Sequence, residues 1–252
     1  MYVGEGKTTG LGGSKTFFEK GKVTMKLMHI KWTFLEGVLG TSTADEEIYR
    51  NYLASKAPSL ELADEEAAAI AESESVDEQF ARALTIFPKL EDGTPFQYDY
   101  QVKGFFKDAC GMLSRLTGKD PDTGKKGKAV NESSKMKAFK KEIDGNIFVF
   151  PRKIPIVFEG KLGICQRSLR ASTPQGERVA LSASEEAPAG STMDFWVLCL
   201  NDAHTKAVLE WMDYGVLRGT GQWRNSGKGR FTYELIEVLE PNSFGEAVKA
   251  TV

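Results

Sequence analysis

Histidine and cysteine are scarce in this chain. Its 252 residues include two histidines, His29 and His204, and three cysteines, Cys110, Cys165 and Cys199. No C-x-x-C pair occurs, and each cysteine sits in an apolar stretch. That spacing argues against a zinc site or a disulfide framework and for core thiols in a reducing cytoplasm. No apolar run approaches the length of a membrane span and no secretory leader is visible, so neither membrane insertion nor export is expected. The near-terminal G-E-G-K-T-T lacks the glycine spacing and the preceding strand of a phosphate-binding P-loop. No cofactor or metal is expected. What remains, 41% hydrophobic and 27% charged residues, is an ordinary globular composition with ample length for a core.

A net charge of −2 hides a strong segregation. Residues 36–92 carry fourteen acids against four bases, a local net of −10, so the remainder carries +8. A polyanion responds to the surface it meets, not to the molecular total. The chain therefore reads as a basic body with one acidic insertion. A second bias runs through residues 119–141, where eight lysines face three acids.

Residues 22–35 alternate as a first strand, with Val23, Met25, Leu27 and His29 expected on one face. The Ala/Glu-rich stretch that follows is helix-forming, and 83–88 is a short strand. Residues 101–116 form an amphipathic helix with Phe105, Phe106, Ala109, Cys110, Leu113 and Leu116 on its apolar side. Strands follow at 147–150 and 154–158, the second expected at an edge because of Pro155. A hairpin arm at 163–180 carries Arg167, Arg170 and Arg178, and residues 192–200 alternate with Met193, Phe195, Val197 and Cys199 inward. A helix at 202–214, with Asp202 as N-cap and Gly215 as stop, precedes a last strand at 230–239. Stripped of insertions this is β-α-β-β-α-β: an α+β, ferredoxin-like or RRM-like antiparallel sheet with a long acidic helical insertion and a hairpin arm. The expected organisation is a flexible N-terminal arm (1–21), one RRM-like domain (22–240) with its insertion at 43–95 and a mobile basic loop at 117–137, and a C-terminal tail (241–252).

Between the last helix and the last strand lies L-R-G-T-G-Q-W-R-N-S-G-K-G-R-F, residues 217–231. Two G-x-G pairs, Gly219/Gly221 and Gly227/Gly229, hold Arg224 and Lys228 within the loop, with Arg218 and Arg230 just outside it. Glycine lets another backbone come close, and arginines and lysines among the glycines make a phosphodiester backbone the natural partner. Trp223 either stacks on a base or folds back beneath the loop. A second candidate anion site is Lys103, Gly104 and Lys107 at the start of the first helix, where main-chain N–H groups can face a phosphate; the alternative is a pair of solvated lysines.

The pattern G-T-G-x5-G-K-G-R-F after a short helix resembles the glycine-rich signature of the RAMP superfamily, the ferredoxin-like RNA-binding proteins of CRISPR effector complexes. Residues 100–113, Y-Q-V-K-G-F-F-K-D-A-C-G-M-L, are similar to the opening of the first helix in the backbone subunits of those complexes. Residues 178–200 look like their third-strand hairpin, with a turn at 188–190. The resemblance implies a single-stranded RNA-binding subunit that holds a guide strand, with copies of itself or other effector subunits as partners. It implies phosphate contacts from Lys103 and Lys107 and from the glycine-rich loop. Some relatives cleave RNA, which makes His204, His29 and Asp45 the catalytic candidates. Against that, His29 fits an apolar strand as a structural residue, and T-A-D-E-E around Asp45 reads equally as a helix-capping box. A third possibility keeps the fold in a viral or accessory protein that binds a protein partner through the acidic insertion.

Overall fold

The computed structural model of the protein describes residues 24–43, 84–119, 126–129, 131–173 and 176–251. Its main sheet is antiparallel, with strand order β13 (Phe231–Leu239), β1 (Lys26–Phe34), β12 (Thr192–Cys199), β9 (Lys153–Val157), β5 (Phe96–Tyr98). Strand β8 (Ile147–Phe150) also pairs with β12, just beyond β9. β8 and β9 are thus two segments of one interrupted strand. Helices α1 (Asp99–Leu113) and α4 (Asp202–Arg218) supply the two crossovers. Reduced to these elements the order is last-first-third-second, the ferredoxin-like β-α-β-β-α-β plan.

Both helices cover one face. Met28, Ile30, Trp32 and Phe34 of β1 meet Met193, Phe195, Val197 and Cys199 of β12, and beneath the helices they join Phe105, Phe106, Val208, Trp211 and Met212 in one buried cluster. Trp32 is its centre: its ring stacks on Phe231 at 3.9 Å between centroids, meets Phe195 edge-on at 4.9 Å and donates Nε1–H to Met212 Sδ at 3.0 Å. The β12 alternation is as expected from the sequence. The phase of β1 is not: its even-numbered residues face the helices, whereas Leu27 and Met25 pack on the opposite face with Leu198 and Ala247 of the C-terminal helix α5 (Phe244–Lys249). A strand slipped by one residue in register exchanges faces completely, and here Leu27 and Met28 offer an apolar side chain to each.

A second sheet flanks the first, with order β10 (Gly163–Thr173), β11 (Gly176–Ala187), β4 (Leu84–Ile86), β3 (Ser42–Thr43) and β2 (Val38–Leu39) on β11. The hairpin arm is therefore rooted in a sheet. Residues 44–83, most of the expected acidic insertion, and residues 1–23, which include the expected N-terminal arm, lie outside the described residues.

Several local expectations change. Leu116 lies beyond α1 and is exposed. Pro155 is paired opposite Phe96, so β9 has neighbours on both sides. The stretch expected as a loop carries the hairpin β6 (Thr117–Lys119)–β7 (Lys126–Ala129) and helix α2 (Glu132–Lys135). Glu210 of α4 fixes α2 by accepting the N–H of Glu132 at 2.7 Å and the Ser133 hydroxyl at 2.5 Å, a carboxylate on a helix N-terminus. Helix α3 (Phe139–Asn146) follows. α4 is capped by Asn201, not Asp202, and continues to Arg218. Gly215 lies inside it because a Cβ there would stand 2.3 Å from the Phe231 ring. Cys110 and Cys199 are buried, and burial pushes their thiols up to about 11 and about 12, while Cys165 is half-exposed on β10.

Candidate nucleic-acid interface

The glycine-rich loop closes on itself. Gly219, Gly221, Gly227 and Gly229 all have positive φ, between 70° and 86°. Gly219 is the C-cap of α4, where a Cβ would come within 2.7 Å of the Arg230 nitrogen. At Gly229 a Cβ would stand 2.0 Å from the Thr220 carbonyl oxygen. Between these glycines Thr220 N–H donates to Gly229 O at 2.9 Å, and Gly229 N–H donates to Gly37 O at 3.0 Å, which sews the loop to the turn after β1. The outer pair of glycines thus serves the loop's own closure. Gly221 and Gly227 have room for a Cβ and are required by φ alone.

Every basic side chain of the loop is held by an acid. Asp108 of α1 accepts from Arg218 Nε at 2.8 Å and from Arg224 at 2.7 Å, so two guanidiniums share one carboxylate. Lys228 Nζ is 2.6 Å from Glu186, and Arg230 is 3.1 Å from Glu36. The hydrogen bond to Asp108 raises the Arg218 pKa further, and that to Glu186 raises the Lys228 pKa. Trp223, in the left-handed region at φ 55°, neither plugs the core nor stands bare. It is half-exposed with the Arg167 guanidinium 5.2 Å from its ring centre, a cation–π contact. Arg167 also donates to Gln222 Oε1 at 2.6 Å, so the hairpin arm and the loop form one surface.

The first-helix site separates into two halves. Gly104 is the sixth residue of α1, beyond the four orphan N–H groups of the helix start, and lines a cleft of about 540 Å³. Lys103 and Lys107 turn instead to α3. Lys107 Nζ is 2.6 Å from Asp144 Oδ1, and Lys103 donates to the Asp144 carbonyl at 3.3 Å with its ammonium 5.1 Å from the Phe148 ring. Loss of water around Lys103 lowers its pKa, an effect Asp144 opposes.

The cleft is where α1 and the loop meet. Gln97, Tyr100, Gln101, Gly104 and Asp108 line it from the α1 side, and Gly221, Gln222 and Arg224 from the loop. Gln97, Tyr100, Asp108, Gln222 and Arg167 are the site residues that reading the sequence missed. Gln97 left a signal there as a polar residue inside the apolar run F-Q-Y, and Arg167 as one of the arginines of the hairpin arm.

The histidines lie elsewhere. His204 is buried in the first turn of α4, about 21 Å of helix away from the loop, with Nε2 3.6 Å from Glu142. It therefore does not adjoin the loop. His29 projects on the face opposite α1 and α4, stacks on Trp196 at 4.3 Å and is bonded to Asp194. Neither lines the cleft. Asp45 is outside the described residues. Among the described residues no group of three or more His, Cys, Asp or Glu side chains gathers as a metal site, and no helix is long and apolar enough to cross a membrane.

Searches of known proteins give little to set beside this geometry. No protein-family profile matches the sequence, and no curated protein does. Among solved structures 122 chains match. One, from the cryo-EM structure of the Type III-B Cmr-beta complex bound to cognate target RNA, aligns with 86% of this chain at 13% identity and a TM-score of 0.46. This chain spans 61% of that one. The α+β, ferredoxin-like assignment rests on the strand order itself.

Proposed function

We propose that the protein is a single-stranded RNA-binding subunit of a CRISPR-type ribonucleoprotein, of the RAMP superfamily, and that it holds the strand without cutting it. The observation that carries this reading is the cleft in which the glycine-rich loop faces α1, with Arg218 and Arg224 on the single carboxylate of Asp108. Two guanidiniums on one acid leave a surplus positive charge where a backbone phosphate can replace part of the Asp108 contact. Arg167, stacked on Trp223, extends the cationic surface onto the hairpin arm. The β-α-β-β-α-β plan, with helix, glycine-rich loop and final strand in that order, is the frame the superfamily resemblance requires. Of the catalytic candidates, His29 and His204 do not line the cleft and Asp45 lies outside the described residues. Partner subunits are supported by β13, the outermost described strand of its sheet, which exposes Leu235, Ile236 and Val238. A long apolar edge strand is a surface that another chain covers.

The test is binding of the purified protein to a labelled RNA of about 30 nucleotides over a salt series, with Arg224→Ala/Lys228→Ala alongside and a DNA strand of the same length as a further arm. Affinity that falls with salt, with a shallower slope in the variant, supports phosphate contacts at the loop. Absence of binding at low salt would overturn the nucleic-acid reading in favour of a protein partner.

A further inference from the structure

Three glutamines line the cleft, and two of them are fully engaged. Gln101 accepts the Tyr98 N–H at 2.8 Å and donates to Thr41 Oγ1 at 2.5 Å. Gln222 donates to Gly40 O at 2.9 Å and Thr85 Oγ1 at 3.2 Å while accepting from Arg167. Gln97 differs. It is the middle residue of β5, a strand buried along its whole length, and is 1% exposed, yet its Oε1 has no hydrogen-bond partner among the described residues. A buried amide left unpaired destabilises the fold, and an apolar residue would fill the same place without that penalty.

The geometry points to a nucleotide-binding site in this cleft, with the base read by the Gln97 amide and the phosphate at Arg224. A carboxamide offers an acceptor and a donor side by side, which matches the edge of a nucleobase that carries a donor next to an acceptor. Tyr100 lines the same cleft, its ring stacked on Tyr98 at 5.1 Å, and provides an aromatic wall along which a base lies. Arg224 stands on the loop side, its charge shared with Arg218 over Asp108. The volume of about 540 Å³ suits one nucleotide, not a length of strand. The nucleotide is one unit of a bound RNA or a free mononucleotide. The inference rests on the RNA reading only for the first source.

Both sources are tested on the full chain. Calorimetric titration with AMP, CMP, GMP and UMP, against inorganic phosphate, is run on the wild type and on Gln97→Leu; adenine, cytosine and uracil 30-mers are compared in parallel. At least one mononucleotide is expected to bind tenfold or more above phosphate, and Gln97→Leu to bring it down to the phosphate level. The variant should also erase the preference among the 30-mers with the salt slope intact. Its melting temperature should hold or rise, since the amide oxygen it removes has no hydrogen-bond partner among the described residues. Mononucleotides no tighter than phosphate, together with 30-mer ratios unchanged in Gln97→Leu, would overturn the site. So would a fall in melting temperature of several degrees, which would make Gln97 a structural residue. Nucleotide binding without strand binding keeps the site and removes the RNA reading. Strand binding indifferent to Gln97 does the reverse.

Discussion

The two regions that the sequence offers as anion sites, the glycine-rich loop and the lysines of α1, are both basic and use their charge differently. On α1 both lysines turn toward Asp144 at the far side of the helix, and loss of water around Lys103 lowers its pKa. On the loop Arg224 lines the cleft together with Asp108, and the carboxylate it shares with Arg218 strengthens the hold of Arg218 on its proton. A guanidinium keeps its charge when partly desolvated and presents a flat fork that can hold a carboxylate and a phosphate in turn, whereas an ammonium is a hydrated point charge. What distinguishes a binding site from a basic stretch is therefore which acid the base already holds and which surface the pair lines.

The largest expected effect breaks the loop's side of this comparison. Gly229→Ala puts a Cβ 2.0 Å from Thr220 O at a φ of 70°. It should lower the unfolding free energy by about 3 kcal/mol, left-handed strain and backbone collision together. Gly104→Ala meets nothing within 4 Å and lies in a helix, so it should stabilise by about 1 kcal/mol. Urea titrations of the two variants that moved together would mean that the loop is not sewn to the turn after β1. Next in size is RNA affinity. Arg218→Ala/Arg224→Ala should lose tenfold or more at low salt and flatten the salt slope by about two, one per phosphate contact. Lys103→Ala/Lys107→Ala should stay within about twofold, and the opposite ranking would move the site to α1. A smaller change sharpens the point: Asp108→Asn releases both arginines, so RNA should bind about threefold or more tighter even as the fold loses about 1–2 kcal/mol. Weaker binding by a folded Asp108→Asn would show that the carboxylate positions the arginines and does not compete with the strand.

The order of elements was legible because the alternation over 192–200 and the helical spacing of Phe105, Phe106, Ala109 and Cys110 each allow one buried face. β1 was not, since apolar residues stand in both phases and α5 covers part of the second face through Ala247. Gly215 read as a helix stop because sequence alone cannot place Phe231 against it. The site was legible only as composition. Glycines, arginines and Gly104 were visible, but Asp108 meets Arg218 across 110 residues and Lys228 meets Glu186 across 42. Such pairs exist only once the sheet order brings α1, the hairpin and the loop together. The unpaired amide of Gln97 is likewise a property of the packed strand.

The smallest effect tests the α1 side through pH. Desolvation lowers the Lys103 pKa below its value in the unfolded chain. Below the folded pKa both states carry the proton, and the folded state bears the full penalty of the poorly hydrated charge. As pH rises through the folded pKa, the folded protein releases its proton while the unfolded chain keeps one up to about 10.4. Stability contributed by this group therefore increases with pH across that window. Lys103→Met removes the charge and keeps the stem, so the variant should be the more stable at pH 7, and its advantage should shrink as pH climbs toward 10. Urea midpoints of the two proteins at pH 7, 9 and 10 measure it. An advantage that stays constant would mean that Lys103 is fully hydrated and free for a phosphate, and the division between the two basic regions would then fail.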